Sequence, residues 1–227
     1  MPTVPGTGGA GIPNREVLPL KRLTLVFGYW FLSLLVCAAI VSVVFVRLDV
    51  PLAARFWPFG RILKPLDGAF GAALILSGES VVVLAIVGAR LVRGRVSAFG
   101  ETLAAACLAS ICAYGVNDHV LKVFFGVPNV PSVLQGARHG LHLWLGSDNS
   151  SFPSGHMVLA GAFAGVFMRV DKVSVKPMAA LLLLAAGLLL VGDWHFLSDI
   201  LAGTFLGVSS GLLAGEGLLA HLNAARS

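Results

Sequence analysis

The chain has 227 residues, of which 57% are hydrophobic and 12% charged, with a mean hydropathy of +0.89 and a formal net charge of +5. A water-soluble domain of this size needs a largely polar, charged shell, so the composition excludes one and makes lipid the solvent for most of the chain. The positive balance then reads as membrane topology and not as a nucleic-acid surface.

In chain order, residues 1–20 are rich in Gly and Pro with little to pack, which predicts a disordered tail. Residues 23–46 form the longest apolar run. It exceeds a signal-peptide core and lacks a small-residue cleavage site after it, so it is expected to stay as a helix. Residues 49–68 place Phe56, Trp57 and Phe59 among Arg and Lys and predict an amphipathic connector at the headgroups. A second span covers 69–89, interrupted by Glu79, and a third covers 98–121, with Glu101 near its start and Asp118 near its end. A short fourth span is expected at 153–168. A fifth at 178–197 and a sixth at 198–222 meet at a polar junction. The fold class is therefore all-α: a polytopic membrane protein with a six-helix bundle over 21–222 and a short tail at 223–227.

Basic residues favour the cytoplasmic side. With the amino terminus inside, ten of them fall in the cytoplasm and six outside, Lys122 and Arg138 among the latter, so both termini are expected in the cytoplasm of a plasma or inner membrane. Cys37, Cys107 and Cys112 fall in spans at spacings of neither a metal site nor a disulfide framework, and read as packing residues. Glu79 and Glu101 are expected to find partners in the bundle or at its edge, and Glu216 and His221 to lie at the cytoplasmic interface.

Ionisable groups are costly in hydrocarbon, so clusters of them at helix ends mark candidate sites. Three converge on the non-cytoplasmic face: Asp118, His119 and Lys122; Pro153-Ser154-Gly155-His156; and Asp193, His195 and Asp199. The second has the form of a helix start, with a capping Ser and free N–H groups that attract anions. There His156 could give a proton to a leaving oxygen. His195 and Asp199, four apart, share a helix face, where a carboxylate holds one imidazole nitrogen and leaves the other to attack. The bland alternative is a structural His–Asp pair. Asp118 and Lys122 are likewise spaced to pair.

The run Ser151-Phe152-Pro153-Ser154-Gly155-His156, followed by 192–203 (Gly192-Asp193-Trp194-His195-Phe196-Leu197-Ser198-Asp199-Ile200-Leu201-Ala202-Gly203), resembles the second and third motifs of the type 2 phosphatidic acid phosphatases, with Lys122 placed like the lysine that opens the first. The resemblance implies a metal-free phosphoryl transfer without cofactor through a phosphohistidine, acting on a phosphorylated lipid. His195 would be the nucleophile, Asp199 its orienting acid and His156 the general acid. Lys122, Ser154 and the N–H of Gly155 would bind the phosphate.

Two departures stand beside this. The first motif's Arg-Pro is replaced by Asn129 and Val130, and the third motif's opening Ser-Arg by Leu188 and Leu189. An arginine fork on a phosphate contributes on the order of 2 to 4 kcal/mol to a transition state. Arg138, His139, His142 and Asn129 are the available substitutes, each with a solvated loop as its bland reading. The alternatives to an active lipid phosphatase are a non-catalytic relative that binds phosphorylated lipid or serves as a scaffold and, less well supported, a transporter built on Glu79 and Glu101.

Overall fold

The computed structural model describes residues 20–63, 71–147 and 150–224, and among these all regular structure is helical. Of the expected tails at 1–20 and 223–227, residues 1–19 and 225–227 lie outside the described residues, as does the connector beyond Leu63, while Leu20 opens the first helix and Asn223 and Ala224 close the last. Five helical stretches are long and apolar enough to cross a membrane: Gly28–Arg47, Ala72–Arg93, Ala98–Phe125, Lys172–Val191 and Leu197–Ala224. A shorter apolar helix, Gly155–Val170, completes the six. The chain divides into two compact units, Met1–Val36 and Cys37–Ser227. In the first, the described part is the start of α1 (Leu20–Arg47), where Tyr29, Phe31 and Leu32 are exposed.

In the second unit, α1 passes through Leu48 into α2 (Asp49–Leu63), whose Asp49, Ala53 and Gly60 share one buried face. α3 (Ala72–Arg93) buries no residue, as befits a lipid-facing helix, and ends on Gly94 in the left-handed region at φ 71°. α4 (Ala98–Val116) starts on Ser97, which accepts the Gly100 N–H. The expected third helix does not run on unbroken. A π turn at Asn117–Leu121 leads into α5 (Lys122–Phe125), and such single-turn widenings are frequent at functional sites.

After α6 (Val130–Leu134) the loop folds back on α5, where the N–H groups of His142, Trp144 and Gly146 donate to the carbonyls of Phe125, Phe124 and Val123. α7 (Gly155–Val170) is followed by a 3-10 turn at Lys172–Ser174, α8 (Val175–Val191) and α9 (Leu197–Ala224). The fifth and sixth spans do not abut at 197–198 as expected. The turn at 192–196 separates them because Asp193 adopts a left-handed φ of 54°, which no helix interior accepts.

α7 and α9 form the core. Gly203, Gly207, Gly211 and Gly215, four apart, line one face of α9 and let it meet α7 backbone to backbone. A Cβ at Gly207 would stand 2.5 Å from the Val158 carbonyl oxygen, and one at Gly211 would collide with that of Ala162. This packing fixes the axial register of the helix carrying His156 against the helix carrying Asp199.

One side-chain expectation changes. Cys107 is buried but Cys112 is exposed, so it is not a packing residue. Glu101 pairs with Arg90 at 3.5 Å, and Glu79 has the Ser110 hydroxyl as a hydrogen-bond neighbour while its buried Oε2 is left without a partner. Glu216 forms a two-point ion pair with Arg169.

Candidate active site

Two imidazoles from distant parts of the chain meet at the ends of α7 and α8. His156 Nδ1 lies 3.3 Å from His195 Nε2, with ring centroids 5.5 Å apart. His156 occupies the second position of α7, where backbone N–H groups lack intrahelical acceptors and the helix dipole favours an anion. Ser154 caps this helix. It is fully buried, and its hydroxyl oxygen accepts the Met157 N–H at 3.4 Å while its own N–H donates to the Asp199 carbonyl at 3.0 Å.

His195 sits in the α8–α9 turn, where its N–H reaches back to the Leu189 carbonyl at 3.4 Å. Its Nδ1 lies 3.5 Å from Asp199 Oδ2. That is long for a hydrogen bond, and neither Nδ1 nor Asp199 Oδ1 has another partner. Asp199 is fully buried and held by the Phe196 N–H, which donates to Oδ2 at 2.9 Å. The carboxylate is thus fixed beside the ring.

Lys122 is buried and its Nζ donates to Asp118 Oδ1 at 2.8 Å. The same ammonium stands 6.0 Å from the Tyr114 ring centroid, and a Cβ on Gly155 would lie 2.7 Å from Tyr114 Cε2. The Tyr114 ring therefore spaces Lys122 from the start of α7, and only glycine fits at 155. Asn117, buried in the π turn, ties that turn to the same place by donating to the Pro153 carbonyl at 3.2 Å.

The loop residues divide. Arg138 is exposed. Asn129 serves as the cap of α6 by accepting the Ser132 N–H at 3.0 Å, and His142 Nδ1 lies 3.2 Å from the Gly126 carbonyl oxygen. His139 is not a solvated loop residue. Its ring packs between Phe45 and Phe196 at centroid distances of 4.3 and 4.6 Å, with Nε2 3.5 Å from Asp49 Oδ2.

Asp49 and Asn117 also join this arrangement, and neither stands out in the sequence. Asp49 lay in what reads as an interfacial connector, and only the return of α2 to the bundle brings it here. At the four departing motif positions, Asn129 (for Arg) caps α6, Val130 (for Pro) is buried in an apolar cluster with Ala53 and Phe196, Leu188 (for Ser) is exposed and Leu189 (for Arg) is a core residue.

Next to α6, a cavity of about 360 Å³ is lined by Asn129, Ser132, His142 and Ser150 among others. Burial pushes the Asp193 carboxyl, two residues before His195, up to about 6. Among the described residues no group of three or more His, Cys, Asp or Glu side chains is arranged to hold a metal ion.

A family model described as the PAP2 superfamily matches residues 101–216, a little over half of the chain. The match runs from the first turn of α4 into the second half of α9, and includes Lys122, His156, His195 and Asp199. No curated protein and no solved structure matches the chain.

Proposed function

The chain belongs to the PAP2 superfamily, whose members are generally phosphatases acting on phosphate esters, and from that premise we propose that it hydrolyses a phosphate or diphosphate monoester of a lipid through a phosphohistidine. One observation carries the reading: the 3.3 Å approach of His156 Nδ1 to His195 Nε2 at the anion-attracting end of α7.

In this mechanism His195 Nε2 attacks phosphorus. The N–P bond forms as the bond to the lipid oxygen breaks, and His156 gives that oxygen its proton. Asp199 holds the Nδ1–H side of the nucleophile and stabilises the charge it acquires. A water then loses a proton to His156 and attacks phosphorus, the N–P bond breaks, and inorganic phosphate leaves. Lys122, the capping Ser154 and the Gly155 N–H balance the charge on the transferring group.

The length of α7 supports a lipid substrate. Its 16 residues span about 24 Å, less than the roughly 30 Å of a bilayer core, so with its far end at one interface its start is recessed below the other. A phosphate on a membrane-held tail reaches that depth without leaving the bilayer. The proposed orientation has both termini in the cytoplasm and the site on the opposite face of a plasma or inner membrane.

A second reading, a relative that binds phosphorylated lipid without turning it over, is favoured by Asn129 and Leu189, neither of which offers a charge where the family carries arginine. Phosphate release from several lipid phosphates in detergent and chelator separates the two. Release that disappears in His195→Ala supports catalysis, and binding without release supports the second reading.

A further inference from the structure

Asp49 opens α2 yet is 1% exposed, because it reaches across 149 positions to Ser198. Its Oδ1 accepts the Ser198 N–H at 3.0 Å and its Oδ2 the Ser198 hydroxyl at 2.5 Å. The His139 ring, wedged between Phe45 and Phe196, brings Nε2 to 3.5 Å from the same Oδ2. A carboxylate from another helix thus caps the first turn of α9, whose N–H groups lack intrahelical acceptors and whose dipole favours an anion.

That turn also carries the proposed orienting acid. The Phe196 N–H donates to Asp199 Oδ2, and the Phe196 ring packs on His139. Two His–Asp pairs, His195 with Asp199 and His139 with Asp49, each at 3.5 Å, stand on the two sides of one helical turn. Burying a carboxylate so completely is costly, and an apolar contact of equal volume would attach α2 to α9 at least as well. What an apolar contact lacks is direction. Bonds to both the N–H and the hydroxyl of Ser198 fix the rotation of the turn on which Asp199 sits.

We propose that Asp49 is a positioning residue for the nucleophile: through Ser198 it sets the rotation of the first turn of α9, and so holds the Asp199 carboxylate against His195 Nδ1, with His139 seating Asp49. This rests on the phosphatase reading for its kinetic consequence, but the positioning itself is a separate physical statement. Removing Asp49 acts on the chemical step and on the ring's tautomer, not on substrate affinity.

The test uses the full chain in detergent with a lipid phosphate. Asp49→Asn, similar in shape but poorer as a double acceptor, is expected to lower kcat roughly tenfold or more with KM changed less than about twofold. In an Asp199→Asn background the same change adds less than about twofold, since both substitutions break one chain of contacts. Nitrogen-15 NMR of the histidine rings, with the His195 signal assigned by His195→Gln, is expected to show the neutral ring mainly as the Nδ1–H tautomer in the wild type. In Asp49→Asn its share of the Nε2–H tautomer rises. Ser198→Ala, which keeps the N–H bond to Asp49, gives the same changes at smaller size, and serves if Asp49→Asn does not fold.

An unchanged His195 tautomer in these variants overturns the proposal, as does a loss that is fully additive with Asp199→Asn. If the wild type releases no phosphate, the phosphatase reading fails. The tautomer comparison then still decides the positioning role.

Discussion

His156 Nδ1 and His195 Nε2 face each other at 3.3 Å, a distance at which one nitrogen carries the hydrogen between them and the other receives it. The two rings are therefore unequal before any substrate arrives, one a donor and one a lone pair, as an acid and a nucleophile must be. A phosphoryl group has to enter between or beside them, and the His156 proton is then directed at the leaving oxygen.

This asymmetry predicts a dependence on the leaving group. His156→Gln should lower hydrolysis of an alkyl lipid phosphate by about 10²–10⁴, the usual worth of a general acid. It should cost far less for a nitrophenyl phosphate, whose oxygen leaves without a proton. Equal losses on both substrates would remove His156 from the acid role. His195→Ala should abolish both.

Asp199→Asn should leave the fold intact and lower kcat by on the order of 10³–10⁴, as expected when an orienting acid becomes an amide that cannot hold the correct tautomer. The Phe196 N–H can still donate to the amide oxygen, so thermal stability should change little. Comparing kcat with the melting midpoint separates orientation from folding.

The glycine face of α9 predicts a purely structural failure that reaches the site. Gly207→Leu or Gly211→Val drives side-chain atoms into the Val158 or Ala162 carbonyl, and should cost about 1–3 kcal/mol through overpacking. Both should lower the melting midpoint and also kcat, since α7 carries His156. A substitution on the lipid-facing side, such as Leu213→Ala, should do neither.

Much of the architecture is legible from hydropathy, because a helix in lipid must be apolar for its whole length. The helix ends are less so. The polar junction between the last two spans is legible, but Trp194, Phe196 and Leu197 blur where in it the helix ends, and hydropathy does not place the turn that Asp193 makes at φ 54°. The π turn at Asn117–Leu121 is equally silent, since it alters hydrogen bonding without altering polarity.

At the candidate site, the histidines, Lys122 and Asp199 stand out because ionisable groups at span ends are rare. Asp49 does not, because a charged residue at the start of an amphipathic segment looks solvated until its partner 149 positions away is known. The repeat of glycine every fourth residue from Gly203 to Gly215 was a readable signal of close helix packing that hydropathy alone passes over.

Asp193 predicts a pH-dependent stability. Its carboxyl titrates near 6 in the folded protein, against 3.8 ordinarily, because burial penalises the charge. Below about 3.8 it is protonated in both states and contributes nothing. As pH rises towards 6 the unfolded chain ionises first and stability falls, and above 6 the full cost persists. Asp193→Asn, which tolerates the left-handed backbone, should therefore raise the melting midpoint at pH 7.5 and leave it unchanged near pH 3.5. A gain of equal size at both values would show that charge burial is not the cause.

The most direct test is the location of the covalent phosphate. Rapid mixing with a phosphorus-32 lipid phosphate, quenching under alkaline conditions that preserve phosphoimidazole, and peptide mass spectrometry should find the label on the ring of His195. It should be absent in His195→Ala. Label on another residue, or release of phosphate at full rate by His195→Ala, would contradict the mechanism at its centre.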